Sequence, residues 1–272
     1  MARTTLRALT LLPAFALALT AVGCAEEVGG GEDTQAGDEI NLIEEGKLTT
    51  CTHTPYEPFQ YEEGGEIVGF DVDLVDFVAE DLGVQQSIVN MPFEGIQSGE
   101  AFNTNRCDVA AAAITINEER EKVMDFSDGY FDANQALLVR KDSGIKTMAD
   151  LSGKTLGVQI GTTGEEYAAE HKDEHGYQIR QYEDLGLLQT AVKTGQVAAG
   201  INDNSVHFNF VKQNPDTEVT EEFETGEEYG IAMRTGNGAM QAKVNEVLAA
   251  IKSDGRYDEI YQKWFGKKPE SK

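Results

Sequence analysis

The chain has 272 residues, and 48 acidic against 22 basic side chains give it a net charge of −26. Such acidity makes nucleic acid and anionic lipid poor partners. Forty per cent hydrophobic residues suffice for a folded protein, and the length suits two lobes sharing one cleft better than one large core.

Residues 1–23 stand apart. Arg3 and Arg7 precede a mostly apolar run from Leu9 to Val22, with no acid before Cys24. This is a secretory signal, too short and wrongly flanked for a mature membrane span, and it predicts an extracytoplasmic location. Its removal takes two basic residues and no acid, leaving the rest more acidic still. No other segment is long and apolar enough to span a bilayer. Residues 24–45 are acidic and glycine-rich, with Gly29-Gly30-Gly31 ahead of Glu32 and Asp33. That composition cannot bury enough apolar surface to order itself and reads as a tether.

Strand and helix signals then alternate, which predicts an α/β architecture with mostly parallel sheets. The first strand spans Lys47 to Thr54. Val68-Gly69-Phe70 runs into Asp71 as a helix cap, Val75, Val78, Ala79 and Leu82 follow helical spacing, and Gly83 stops the helix. Ser87 to Asn90 reads as a strand, Phe93 to Phe102 as a weakly patterned helix and Asp108 to Thr115 as a strand. Gln135 to Arg140 leaves this unit. A second set follows: strand Thr155 to Gln159, helix Thr163 to Ala169, strand Gln178 to Tyr182, a helix through Leu188, Ala191 and Val192, and strand Ala198 to Asn202. After an acidic stretch from Glu221 to Glu228, a strand from Tyr229 to Met233 is expected to return to the first lobe. Two helices close the chain, one with Val244, Val247, Leu248 and Ile251 on one face, the other with Ile260, Tyr261, Trp264 and Phe265.

The segment Ala111 to Arg120 carries the most chemistry. Strand alternation buries Ile114 and Ile116 and leaves Thr115 on the other side, while Asn117-Glu118-Glu119 opens a helix. Arg120 then lies near unpaired backbone N–H groups, and its planar fork can bond both oxygens of a carboxylate. The competing reading is a surface pairing with Glu119, Glu121 or Asp125. Tyr56 follows the first strand, where an α/β sheet presents loops to a ligand crevice; Tyr56 and Phe93 can sandwich a small carbon skeleton, with core packing as the alternative for each. Ile160-Gly161-Thr162-Thr163-Gly164 offers backbone N–H groups to an anion but lacks the lysine of a nucleotide loop. Asp203 sits at the end of a strand, able to pair with an ammonium or to cap the segment Ser205 to Gln213. No nucleophile elbow, metal-ligand cluster or kinase motif occurs, and His171, His175 and His207 read as exposed or packing residues, so neither enzyme chemistry nor a cofactor or metal is expected.

Cysteine usage adds two expectations. Ala21-Val22-Gly23-Cys24 resembles the lipobox of bacterial lipoproteins, in which the cysteine receives lipid such as palmitate and becomes the new N-terminus. Two acyl chains would hold the protein at the membrane. Cys51 and Cys107 remain, and outside the cytoplasm two remaining thiols are expected to pair; they lie on strands that can be neighbours.

The motifs PYEPFQY, IVGFDVDL, AAAITINEER, DFSDGYF, LSGKTLGVQIGTTGEEYA, YGIA and GRYDEIYQKWFG, in this order, resemble the extracytoplasmic solute-binding proteins (family 3) of polar amino acid ABC transporters, the glutamine-binding members above all. The similarity covers roughly residues 46–266. It implies a two-lobe, periplasmic-binding-protein-like (type II) clam with a hinge of two crossing strands: residues 46–134 plus 229–272 as lobe 1 and 135–228 as lobe 2. It implies that Arg120 grips a ligand α-carboxylate with help from Thr115 and backbone at Ala113 and Thr163, that Asp203 holds the α-ammonium, and that Tyr56 and Phe93 flank the side chain. The implied partners are a free polar L-amino acid, glutamine or glutamate among the candidates, and an ABC transporter permease, with the receptor a monomer. Thr52-His53 stands where relatives commonly have Thr-Asp, and Gln159 where the glutamine-binding member has lysine. His53 can favour an acidic side chain if protonated or an amide if neutral. The same fold also resembles cyclohexadienyl dehydratases, the alternative of a different class.

Overall fold

The computed structural model describes residues 40–269; the signal, Cys24 and most of the tether lie outside the described residues. Residues 40–45, which the composition assigns to the tether, belong to the folded unit. Ile40 and Leu42 pack against the core, and Ile43 donates its N–H to Asp108.

Strand β1 (Lys47–Thr52) buries every residue after the first, as a central strand covered on both faces must. A hairpin of β2 (Tyr61–Glu63) and β3 (Glu66–Val68) follows. Gly64 and Gly65, both at positive φ, form its two-residue turn. Helix α1 (Phe70–Asp81) buries Val75, Val78 and Ala79 of the predicted stripe, and Leu74 with them, while Leu82 is the C-cap residue, partly buried against the same core; the helix supplies the crossover needed before β4 (Gln85–Asn90) pairs parallel to β1. The cap differs from expectation. Gly69 takes the N-cap position at φ 147, because a Cβ there would fall 2.0 Å from the Phe59 carbonyl. Asp71 lies inside the first turn with its carboxylate buried, accepting from Ala113 N at 2.7 Å and the Tyr130 hydroxyl at 2.8 Å.

The helix expected from Phe93 to Phe102 is two short ones, α2 (Phe93–Gln97) and α3 (Glu100–Asn103), broken at Gly99 in the left-handed conformation. The expected strand from Asp108 to Thr115 shrinks to β5 (Val109–Ala110), beside β1. Cys51 pairs with Ala110 in that register, and the Cys51–Cys107 disulfide closes the two strands together. Helix α4 (Glu118–Glu121) and β6 (Asp125–Phe126) complete this stretch.

Strand β7 (Phe131–Arg140) leads away. Then come β8 (Thr155–Gln159), α5 (Thr163–His175), β9 (Gln178–Tyr182), α6 (Leu185–Lys193), β10 (Ala199–Asp203) and α7 (Asn204–Gln213). The acidic stretch does not loop. It forms most of β11 (Thr217–Tyr229), antiparallel to β7 at the sheet edge. Pairing outweighs the weak strand preference of glutamate, and an edge strand can turn its charges to water. The strand expected from Tyr229 to Met233 is therefore the end of β11 followed by β12 (Ala232–Met233), which pairs with β5 and β6. Helices α8 (Gly238–Asp254) and α9 (Arg256–Phe265) close the chain.

Two five-stranded sheets result, ordered β4-β1-β5-β12-β6 and β11-β7-β10-β8-β9, each flanked by helices as a lobe of its own. Strands β7 and β11 pass between them. Phe131 opens β7 among Phe59, Tyr229 and Phe265 of the first core, whereas Leu137 and Val139 enter the second. The β7–β11 register slips between Phe223 and Glu227. A bulge at this point bends the pair where it leaves one lobe for the other.

Candidate ligand-binding site

The chain leaves β5 and kinks at Ala113, a non-glycine residue at φ 51. Asp71 takes the Ala113 N–H and so holds the kink. Thr115 is thus presented by a bent loop bridged to Tyr229, not by strand alternation. Asn117 then caps α4 by accepting the Arg120 N–H at 2.9 Å, which places the arginine in the first turn as its sequence position predicts.

Arg120 is only 3% exposed. None of the acids on its own helix pairs with it. One guanidinium nitrogen donates to the Thr115 carbonyl at 2.8 Å, the other to the Gly161 carbonyl of the second lobe at 3.1 Å. Its guanidinium carbon stands 5.4 Å from the centre of the Phe93 ring. Burial lowers its pKa, while Glu166, Asp203 and Glu227 oppose that shift. A desolvated arginine facing open space is a strong carboxylate receptor.

Asp203 ends β10 and makes no cap bond to α7. Its carboxylate collects Tyr56 Oη on Oδ2 at 2.6 Å, Tyr229 Oη on the same oxygen, and Gln135 Nε2 on Oδ1 at 2.6 Å. Burial, and then the neighbouring Glu227, raises its pKa to about 6, against the lowering effect of those three donors. A carboxylate so surrounded stays ionised at neutral pH and offers a preset partner for a cation.

All nine ligand-site residues predicted from sequence line one cavity. Arg120, Thr115, Ala113, Phe93, His53 and Tyr56 come from the first lobe; Asp203, Thr163 and Gln159 come from the second. His53 Nδ1 lies 2.9 Å from the Met91 carbonyl. A carbonyl only accepts, so Nδ1 carries a proton, and Nε2 is free to accept whenever the ring is neutral. That Nε2 has no partner among the described residues. Gln159 is less available, since its side-chain oxygen accepts from Asn202 at 3.1 Å. Sequence reasoning missed Gln60, Ala112 and Thr162, which also line the cavity, and Gln135 and Glu227, which bond its walls. Glu227 lies in an acidic run that offers no local mark to single it out. Among the described residues no group of three or more His, Cys, Asp or Glu is placed to hold a metal ion.

Residues 48–267 match the family described as bacterial extracellular solute-binding proteins, family 3. The chain is 33% identical over 269 residues to the ABC transporter glutamine-binding protein GlnH of Bacillus subtilis (strain 168), covering 96% of this chain and 97% of that one. An ancestral arginine-binding protein bound to arginine superposes with a TM-score of 0.77 at 41% identity, covering 81% of this chain and 99% of that chain. An ancestral amino-acid-binding protein described as a precursor of cyclohexadienyl dehydratase superposes with a TM-score of 0.75 at 35% identity, covering 81% of this chain and 96% of that chain. The two-lobe architecture is the type II fold that the motifs imply. The chain belongs to the family 3 extracellular solute-binding proteins.

Proposed function

We propose that this protein is a lipid-anchored extracytoplasmic receptor that closes on a free polar amino acid between its lobes and delivers it to an ABC transporter permease. The observation that carries this reading is the placement of Arg120 and Asp203, one from each lobe, on the same cavity. A zwitterion satisfies both at once, so it binds the closed arrangement better than any open one and shifts the population accordingly. The boundary we assign puts residues 46–134 and 229–272 in lobe 1 and 135–228 in lobe 2. Cys24, after the signal, carries the lipid.

The relatives named above bind glutamine and arginine. Both side chains end in N–H donors, which suit the acceptor Nε2 of His53, and beyond His53 and Phe93 the cleft continues into a groove walled by Glu94, Glu183 and Asp184. Side chains bearing nitrogen donors are therefore favoured over glutamate.

A thermal-shift panel of the common amino acids tests the reading, because a ligand that binds only the folded protein raises its melting temperature. At 100 Kd the stabilisation is about 2.7 kcal/mol. Glutamine or arginine is expected to shift the transition upward and glutamate much less. A panel without any shift, together with product formed from prephenate or arogenate, would replace the receptor reading by the dehydratase one. Retention of the Cys24→Ser variant in the membrane fraction would remove the lipid anchor.

A further inference from the structure

Glu227 is absent from the ligand set implied by sequence, yet it is the most heavily bonded acid beside the cavity. It sits on β11 directly after the register slip. Its Oε2 accepts from the hydroxyls of Thr115 at 2.8 Å and Thr163 at 2.7 Å. Its Oε1 accepts from Gln135 Nε2 at 3.0 Å and the Thr225 hydroxyl at 2.8 Å. One residue of the crossing strands thus ties a hydroxyl of the first lobe to a hydroxyl of the second.

The direction of those bonds matters. A threonine hydroxyl has one proton to give and lone pairs to receive with. Thr115 and Thr163 both spend that proton on Glu227, so the oxygens they keep toward the cavity are acceptors. Acceptors repel a ligand carboxylate and suit an ammonium. Gln135 extends the same arrangement, since its Nε2 also reaches Asp203 Oδ1 at 2.6 Å and, more weakly, the Thr163 hydroxyl at 3.2 Å. Its Oε1 meets no donor among the described residues, so the amide is turned to serve the two carboxylates. Glu227 and Asp203 therefore flank one NH2 group, so the cavity wall carries Asp203 and two acceptor hydroxyls with the second acid, Glu227, directly behind them.

We propose that Glu227 is a positioning and specificity residue of the ammonium end: it orients the Thr115 and Thr163 hydroxyls as acceptors and adds a second carboxylate beside Asp203, so that the pocket takes ligands with an α-ammonium and rejects the same carboxylic acids without one. The proposal rests on the amino acid reading above and gives Thr115 a different task from helping Arg120 with the carboxylate.

The experiment measures, by calorimetry on the mature chain, L-glutamine against glutaramic acid and L-arginine against δ-guanidinovaleric acid, each pair differing only in the amine. Wild type is expected to prefer the amino acid of a bound pair by roughly a hundredfold or more, and Glu227→Gln to lose at least roughly tenfold for the amino acid while leaving the des-amino acid unchanged or tighter, as loss of a charge-assisted contact predicts. Glu227→Asp, with the charge on a shorter arm, is expected to fall between the two. Equal losses for both members of a pair, no change in either, or a preference of Glu227→Asp at or below that of Glu227→Gln would overturn the proposal alone. Wild type that binds none of the four compounds, and that no amino acid of the thermal-shift panel stabilises, would overturn the amino acid reading and this proposal with it.

Discussion

The phenol of Tyr56 donates to Oδ2 of Asp203 at 2.6 Å, joining the loop after β1 to the end of β10 across 147 positions of sequence. The same hydroxyl lies 2.6 Å from Asn202 Oδ1. Burial and Asp203 push the phenol well above its usual pKa, so it remains a donor. Hydrogen bonds to charged groups contribute about 1.5–3 kcal/mol. Tyr56→Phe should therefore lower the unfolding free energy by about 1–3 kcal/mol in urea titrations at pH 8, and an unchanged midpoint would count against a bond of that strength.

In the amino acid reading proposed above, Arg120 and Asp203 are the two poles of a clamp. Truncating one partner of a desolvated charge pair typically costs about 2–5 kcal/mol in binding. Arg120→Met and Asp203→Asn should each weaken amino acid binding by roughly 30-fold to several thousandfold and retain the wild-type circular dichroism spectrum. Near-wild-type affinity in either variant would remove that residue from the site.

The raised pKa of Asp203, about 6, gives binding a pH profile. An α-ammonium needs the ionised carboxylate. Above about pH 6 Asp203 is ready, and below it the proton must leave before the ligand pairs. The dissociation constant should be flat from pH 7 to 8 and rise toward about tenfold per unit below pH 6. Asp203→Asn should lose that slope.

Asp71 makes a separate prediction about stability. Burial raises its pKa to about 7 from 3.8, although Ala113 and Tyr130 donate to the carboxylate. Between about pH 4 and 7 the folded chain keeps a proton that the unfolded chain has lost, so this group's stabilising contribution falls as pH rises through that window. Three units correspond to about 4 kcal/mol at most. Buried His207, lowered to about 3, acts in the opposite sense, so the informative quantity is a difference. Asp71→Asn should gain stability relative to wild type on going from pH 4 to pH 8 in paired urea titrations; a constant difference would refute the buried-acid account.

The Cys51–Cys107 bridge spans 56 positions. In the chain-entropy description a loop of that length is stabilised by about 4 kcal/mol, and measured values are commonly about 2–4. The double variant Cys51→Ala/Cys107→Ala should lose about that much, and the denatured, unreduced mature protein should show no thiol titrating from either position.

Much of the fold was legible because its signals are local. The β8 and β9 strands fall at the predicted residues, and the α8 stripe of Val244, Val247, Leu248 and Ile251 is buried as its spacing requires. Three elements were not. Nothing near Phe93 to Phe102 announces that Gly99 will turn left-handed, Val109 and Ala110 alone of their apolar run find strand partners, and the acids of β11 become a strand only because β7 lies beside them. Each of these outcomes is decided by a neighbour distant in sequence.

The candidate site divides along the same line. Sequence by itself determined which residue types stand at strand ends and helix starts, and so brought Arg120, Thr115, Tyr56, Phe93 and Asp203 forward as ligand contacts. Tertiary structure alone decided what those groups can still offer. The proton of Thr115 goes to Glu227, the Nδ1 proton of His53 to Met91, and the Asp203 carboxylate to Tyr56, Tyr229 and Gln135. Donor and acceptor capacity is a property of a side chain together with its partners, and those partners lie as far as 147 positions away, where no local pattern in the chain can specify them.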